Sequence, residues 1–166
     1  MVIKCLAAKC RFPFAACVFL SLMPAGAGSS SPAKPAIATT PQEREIASKD
    51  FVRQRLSLWQ ERLSLTQWDI RVELVRAEEL EPRTLGNIHW DTDTKQATIA
   101  VLSSYDYHLP YDAMLNDMEF TVVHELVHLQ LAVLPRSEAS RRAEEHAVNE
   151  LAAALLKLAR RESTRQ

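Results

Sequence analysis

The chain has 166 residues, of which 47% are hydrophobic and 25% are charged, and its formal net charge is −1 with neutral histidines. This length suits one domain with an ordinary core rather than two, and the composition is that of a globular chain rather than a disordered one. No basic patch stands out, so the sequence predicts no nucleic-acid partner.

The first 27 residues have the features of a secretory signal peptide. Lys4, Lys9 and Arg11 form a positive start, residues 12–23 are mostly apolar, and Ala-Gly-Ala at 25–27 fits a small-x-small cleavage site. The apolar run is too short for a membrane span. We therefore expect residues 1–27 to be removed, and the protein to be exported to the periplasm or secreted, with no stable membrane insertion.

All three cysteines, Cys5, Cys10 and Cys17, lie in this segment. The mature protein would then have no disulfide bond and no thiolate ligand for a metal. Two alternatives stay open. The segment could remain as an uncleaved anchor, or Cys17 could carry a lipid, because Phe-Ala-Ala-Cys at 14–17 loosely resembles a bacterial lipobox.

Residues 28–40 are rich in Ser, Pro, Ala and Thr, which predicts a flexible linker before a folded domain at 41–166. Thr40, Pro41 and Glu43 predict a helix start with a capping box. This helix is expected to end near Ser64. Its core-facing residues are predicted from helical spacing: Ile46, Phe51, Val52, Leu56, Trp59 and Leu63.

Three strands are predicted after this helix. Residues 68–74 alternate apolar and polar side chains without a break, which is typical of a half-buried strand. Residues 85–90 predict a second strand, in which Gly86 could mark a bulge. Residues 97–102 predict a third, paired to the second as a hairpin across a turn at 91–95.

Two helices complete the chain. The first is predicted to start near Asp112 or at a capping box of Asn116 and Glu119, and it stops before Pro135. It is apolar almost all round, which predicts a buried, central helix. The second is predicted over residues 137–160. Its inner face is predicted to carry Val148, Leu151, Ala152 and Leu155.

These elements predict an α+β fold. It would contain an N-terminal helix, a small three-stranded and mostly antiparallel sheet, the buried helix and a C-terminal helix.

The buried helix carries the pattern His-Glu-x-x-His at His124, Glu125 and His128. Two imidazoles four residues apart on a helix project from one face, so both can reach one Zn²⁺. The glutamate between them would lie beside the metal and could take a proton from a water held there. The pattern therefore predicts zinc-dependent hydrolysis of a peptide or amide bond.

Catalytic zinc usually has three protein ligands. The extended motif would need Gly at 131 and His at 134, but both positions are leucine, and no aspartate follows the motif. A glutamate on the last helix remains, if that helix folds back antiparallel to the buried one. The residues facing the two histidines would then lie near position 145.

Glu145 is the favoured third ligand, because Asn149 lies one helical turn later and could hydrogen-bond to a zinc-bound imidazole. Glu144 is the alternative, and His146 comes third. The glutamates at 138 and 150 lie too near the turn and too far along the helix, respectively.

His124-Glu125-Leu126-Val127-His128 followed by Glu145 and Asn149 resembles the gluzincin class of zinc metallopeptidases, especially its small single-domain members. The resemblance covers the last two helices, and the preceding strands fit it loosely. It implies a minimal zincin-like fold at 41–166, one zinc ion held by His124, His128 and Glu145, and Glu125 as the catalytic base.

We therefore expect an exported zinc metallopeptidase with a peptide or protein substrate. The strand at 97–102 would be an exposed edge that pairs with the substrate, or simply a sheet edge. A second donor to the oxyanion is sought near the motif. The candidates are Tyr105, Tyr107, His108, Tyr111 and His89, with Tyr107 or His108 preferred.

Other interpretations of the same residues stay open. A catalytically silent zinc-binding or interaction module of the same fold would keep the histidines, and a cell-wall peptide amidase would use the same chemistry on another substrate. Without catalytic zinc, the polar residues would form a hydrogen-bonded core network or hold a structural metal.

Overall fold

The computed structural model describes residues 40–134 and 138–165. The predicted signal peptide with its three cysteines, residues 28–39 of the linker, and Pro135 lie outside the described residues. The remaining chain forms three helices and three strands, which confirms the α+β class. In chain order they are α1 (Pro41–Arg62), β1 (Asp69–Val75), β2 (Gly86–Asp91), β3 (Gln96–Leu102), α2 (Tyr111–Gln130) and α3 (Glu138–Ser163).

Helix α1 begins with the predicted capping box. Thr40 Oγ1 accepts a hydrogen bond from Glu43 N at 3.2 Å, and the Glu43 carboxylate accepts one from Thr40 N at 2.9 Å. Two orphan N–H groups of the first turn are thereby satisfied. Of the predicted inner residues, Val52, Leu56 and Trp59 are buried, whereas Ile46 is 58% exposed and that part of the prediction is wrong.

The sheet has the strand order β1-β3-β2 and is mixed. β2 and β3 form the predicted antiparallel hairpin, but β1 pairs parallel with β3, from Asp69↔Gln96 to Val75↔Leu102. The expectation of a mostly antiparallel sheet is corrected accordingly. Residues 97–102 lie in the central strand, so the prediction of an exposed edge there is also wrong. The edge strands of the sheet are β1 and β2.

Strand β3 is buried because it has a neighbour on each side and α2 across one face. Ile99 and Val101 are fully buried, and α2 packs against both β2 and β3. Hydrophobic burial of this kind contributes roughly 25 cal/mol per Å² of apolar surface. The hairpin is thereby fixed against the helix that carries the histidines.

Helix α2 is the buried, central helix that its composition predicts. Met114, Met118, Val122 and Leu126 are fully buried, and the helix packs against α1, α3, β2 and β3. It starts at Tyr111, and the capping box predicted at Asn116 is wrong. Asn116 lies inside the helix, where its amide donates to the Asp112 carbonyl oxygen at 2.8 Å.

Helix α3 packs against α2 through Val148, Ala152 and Leu156, which are buried. Leu155 is half-buried, and Leu151, predicted to face inward, is 48% exposed. Among residues 40–134 and 138–165, no helix combines the length and apolar composition that crossing a membrane requires.

Candidate metal centre

The motif residues lie in the middle of α2, on a part of the helix that the fold covers. Glu125 is 6% exposed and His128 is 8% exposed. Within the described residues, His124, Glu125 and His128 each offer a ligand atom, and these atoms lie within 4.8 Å of one another. This group could hold a metal ion.

The facing nitrogens of the two histidines converge with a carboxylate from α3. His124 Nε2 and His128 Nε2 are 3.1 Å apart. Glu145 Oε2 is 3.5 Å from His124 Nε2, and Glu145 Oε1 is 3.4 Å from His128 Nε2. Ligands at ordinary zinc bond lengths in tetrahedral geometry are about 3.3 Å apart. Two imidazoles and one carboxylate at this spacing could hold a metal ion.

The other ring nitrogen of each histidine is held by a different residue of α3. His124 Nδ1 lies 3.1 Å from Asn149 Oδ1, and His128 Nδ1 lies 3.2 Å from Glu144 Oε1. When Nδ1–H donates to an oxygen, Nε2 is left as the acceptor that can bind a metal. Asn149 therefore has the contact predicted for it. Glu144, the alternative third ligand, contacts the Nδ1 side of His128.

Helix α3 presents these groups because its inner face is anchored in the core. Val148 and Ala152 are fully buried, and Glu145 and Asn149 lie one turn from each other on neighbouring positions of the same side. Glu145 itself keeps 47% of its side chain exposed. The side chain of His146, the third candidate ligand, is exposed.

Burial sets the protonation preferences of the two central residues. It lowers the pKa of His124, with the neighbouring His128 adding to the effect, so the neutral imidazole is favoured. Burial also raises the pKa of Glu125 to about 8, and the charge of Glu145 acts in the same direction. A cation at the site would oppose that increase and favour the Glu125 carboxylate.

Gly86 allows β2 to pass close to α2 beside Glu125. A Cβ at this position would overlap Thr121 Cγ2 and lie 2.7 Å from the Ala100 carbonyl oxygen. It would also lie 3.6 Å from Glu125 Oε1. The β2–β3 register is unbroken at Gly86, so the bulge considered there is absent from this hairpin. Gly86 is needed for close approach of backbone to helix.

The candidate metal centre opens into a cleft of about 960 Å³. β2 borders this cleft, and the connection between β1 and β2 contributes Glu79, Glu81 and Arg83. This connection carries no sequence motif and its position depends on the strand order, so its place beside the site could not be predicted.

One of the five candidate oxyanion donors lines the cleft. His89 lines it from β2, whereas the three tyrosines and His108 are not among its lining residues. Tyr107 instead donates its hydroxyl to Asp117 Oδ2 at 3.0 Å, and burial raises its pKa. Tyr111 lies under the Arg44 guanidinium, 5.5 Å from the ring centroid. These tyrosines join elements of the fold.

Comparison of the chain with protein-family models, with curated proteins and with solved structures finds no match. The interpretation of the site therefore depends on its own geometry.

Proposed function

We propose that this protein is an exported zinc-dependent metallopeptidase with a gluzincin-type site. The observation that carries the proposal is the convergence of His124 Nε2, His128 Nε2 and the Glu145 carboxylate within 3.1 to 3.5 Å of one another. These are the donor atoms of a His₂Glu catalytic zinc site. These three residues would hold the ion. Glu125, Asn149 and Glu144 would then transfer the proton or orient the imidazoles.

Zinc, when bound, supplies a water of lowered pKa and polarises the scissile carbonyl group. Glu125 would accept the proton of that water and deliver it to the leaving amine. Its burial supports this role, since a carboxylate enclosed next to the ligands is well placed to exchange a proton without competition from bulk solvent. Asn149 and Glu144 would keep both imidazoles in the metal-binding tautomer.

The substrate proposed is an extended peptide that lies along β2. This edge strand borders the cleft, and its outer side has no strand neighbour among the described residues. An extended chain can hydrogen-bond to such an edge through backbone groups alone. We therefore assign backbone pairing with the substrate to β2 rather than to residues 97–102, where the sequence analysis had placed it.

The environment of Glu125 favours catalysis over a silent zinc-binding module. A buried carboxyl group carries a cost in stability, and a module that only holds a metal gains nothing from a fourth titratable group beside the ligands. A cell-wall peptide amidase would use the same residues, and its substrate would lie in the same cleft.

A cleavage assay on the purified protein tests the proposal. A peptide library and a cell-wall peptide fraction are incubated with the protein, with chelator, and with chelator followed by zinc. We expect chelation to abolish cleavage and zinc to restore it. Cleavage of the cell-wall fraction alone would select the amidase.

Glu125→Gln is the decisive variant in this assay. It should retain zinc and lose about 10² to 10⁴-fold in kcat, the usual contribution of a general base. Glu61→Gln, on the exposed side of α1, is the matched control and should retain full activity. Full cleavage by Glu125→Gln would rule out the proposed role of Glu125, and zinc binding without any cleavage in the unmodified protein would favour the silent module.

A further inference from the structure

Helix α3 carries an apolar stripe on its outer surface in addition to its buried face. The stripe consists of Ala147, Leu151, Ala154 and Leu158, all of which are exposed. Leu151 is 48% exposed and Leu158 is 57% exposed. The spacing of four, three and four residues is the heptad spacing of a coiled-coil seam. The two exposed leucines therefore lie on one face of the helix, with a small alanine beside each.

The stripe is separate from the face that α3 uses within the fold. Val148, Ala152 and Leu156 form that inner face and pack into the core. On a helix with 3.6 residues per turn, the stripe lies about a third of the circumference away from them. It therefore remains available after the described part of the chain has folded.

We propose that the stripe is the interface of a homodimer in which two copies of α3 pack antiparallel. With the two-fold axis between residues 152 and 153, Leu151 meets the partner's Ala154 and Leu158 meets the partner's Ala147. Each large side chain then faces a small one, so the two helices can interdigitate closely. The same patch serves both chains, as a two-fold interface requires.

The charges beside the stripe complement a second copy of the chain in this register. Glu150 and Lys157 flank the seam on one side, both exposed and without an ion-pair partner among the described residues. In the antiparallel register, Glu150 lies beside the partner's Lys157, and Lys157 lies beside the partner's Glu150. A second copy of this chain thus complements the stripe in both shape and charge.

Sedimentation of the purified full-length protein over a wide concentration range tests the proposal, with and without chelator. We expect a reversible dimer in both conditions, because the stripe lies on a different side of α3 from Glu145. Leu151→Glu should weaken the dimer more than about a hundredfold, since two leucines lose their apolar contact. Leu109→Glu, at a loop leucine of similar exposure, should leave dimerisation unchanged.

Charge reversal tests the register without touching the apolar residues. Glu150→Lys should weaken the dimer about tenfold, because both flanking pairs become repulsive. Adding Lys157→Glu should restore it by reversing every pair. A protein that is monomeric throughout, a dimer lost on chelation, or a dimer insensitive to Leu151→Glu would overturn the proposal. Failure of the double variant to recover would overturn the antiparallel register.

Discussion

At the scale of single residues, the site depends on the two nitrogens of each imidazole having different partners. The Nε2 atoms converge with Glu145, and the Nδ1 atoms are held by Asn149 and Glu144. The sequence predicted the histidines from their spacing alone, because a helix determines which side chains share a face. It favoured Glu145 over Glu144 because of Asn149, but both stayed open, since the choice depends on how α3 is rotated about its axis.

Adjacent alanine substitutions on α3 test this division of roles. Glu145→Ala removes a proposed ligand and should abolish stable zinc retention. Glu144→Ala removes the partner of His128 Nδ1 and leaves the proposed ligands in place, so it should weaken zinc binding about 10 to 100-fold. Zinc content after dialysis and competition with a chromogenic chelator measure both effects. The opposite ranking would exchange the roles of the two glutamates.

At the scale of elements, local signals predicted where helices and strands lie but not how the strands are ordered. The capping box of α1 and the alternation at 68–74 involve neighbouring residues, so they can be recognised in the sequence. The insertion of β3 between β1 and β2 is a non-local pairing that leaves no local pattern. The prediction that Leu151 faces the core was wrong for a related reason. α3 has two apolar faces, the sequence does not show which of them is buried, and Leu151 belongs to the outer one.

The contact between β2 and α2 can be tested at Gly86. Gly86→Ala should cost about 1 to 3 kcal/mol of unfolding free energy, because the new methyl overlaps Thr121 and approaches the Ala100 carbonyl oxygen. Thr121→Ser removes the overlapping methyl and keeps the hydroxyl bond to the Asp117 carbonyl oxygen. The double variant should recover part of the loss, and urea denaturation measures it. A Gly86→Ala protein of unchanged stability would contradict this packing.

A salt bridge connects the segment after β1 with the turn after β3. The Arg76 guanidinium donates two hydrogen bonds of 2.8 Å to the Asp106 carboxylate, which also accepts one from Ala77 N at 2.9 Å. Arg76 and this backbone N–H lower the pKa of Asp106 to about 2. The start of the connection that lines the cleft is thereby joined to the turn after β3.

This pair predicts a dependence of stability on acid. The folded pKa lies below the unfolded value of about 3.9, so the contribution is complete above about pH 4 and is lost as pH falls toward 2. Urea denaturation at several pH values should show a steeper loss in the unmodified protein than in Asp106→Asn. Parallel curves for the two proteins would show that Asp106 titrates normally.

At the scale of the whole molecule, the candidate centre lies where α2, α3 and β2 meet. α2 supplies both histidines and Glu125 from a position packed by α1 and the sheet, α3 supplies the carboxylate, and β2 forms the wall of the cleft. The sequence contained the first two contributions as a motif and a glutamate at a matching distance. The position of β2 as the wall of the cleft could not be predicted from the sequence, because it depends on how the hairpin packs against α2.

The most direct measurement is the anomalous difference density of a zinc-loaded crystal, recorded on both sides of the zinc absorption edge. We expect one peak within bonding distance, about 2.0 to 2.2 Å, of His124 Nε2, His128 Nε2 and a Glu145 carboxylate oxygen. A peak bound elsewhere on the chain, or no peak among these three side chains at saturating zinc, would contradict it.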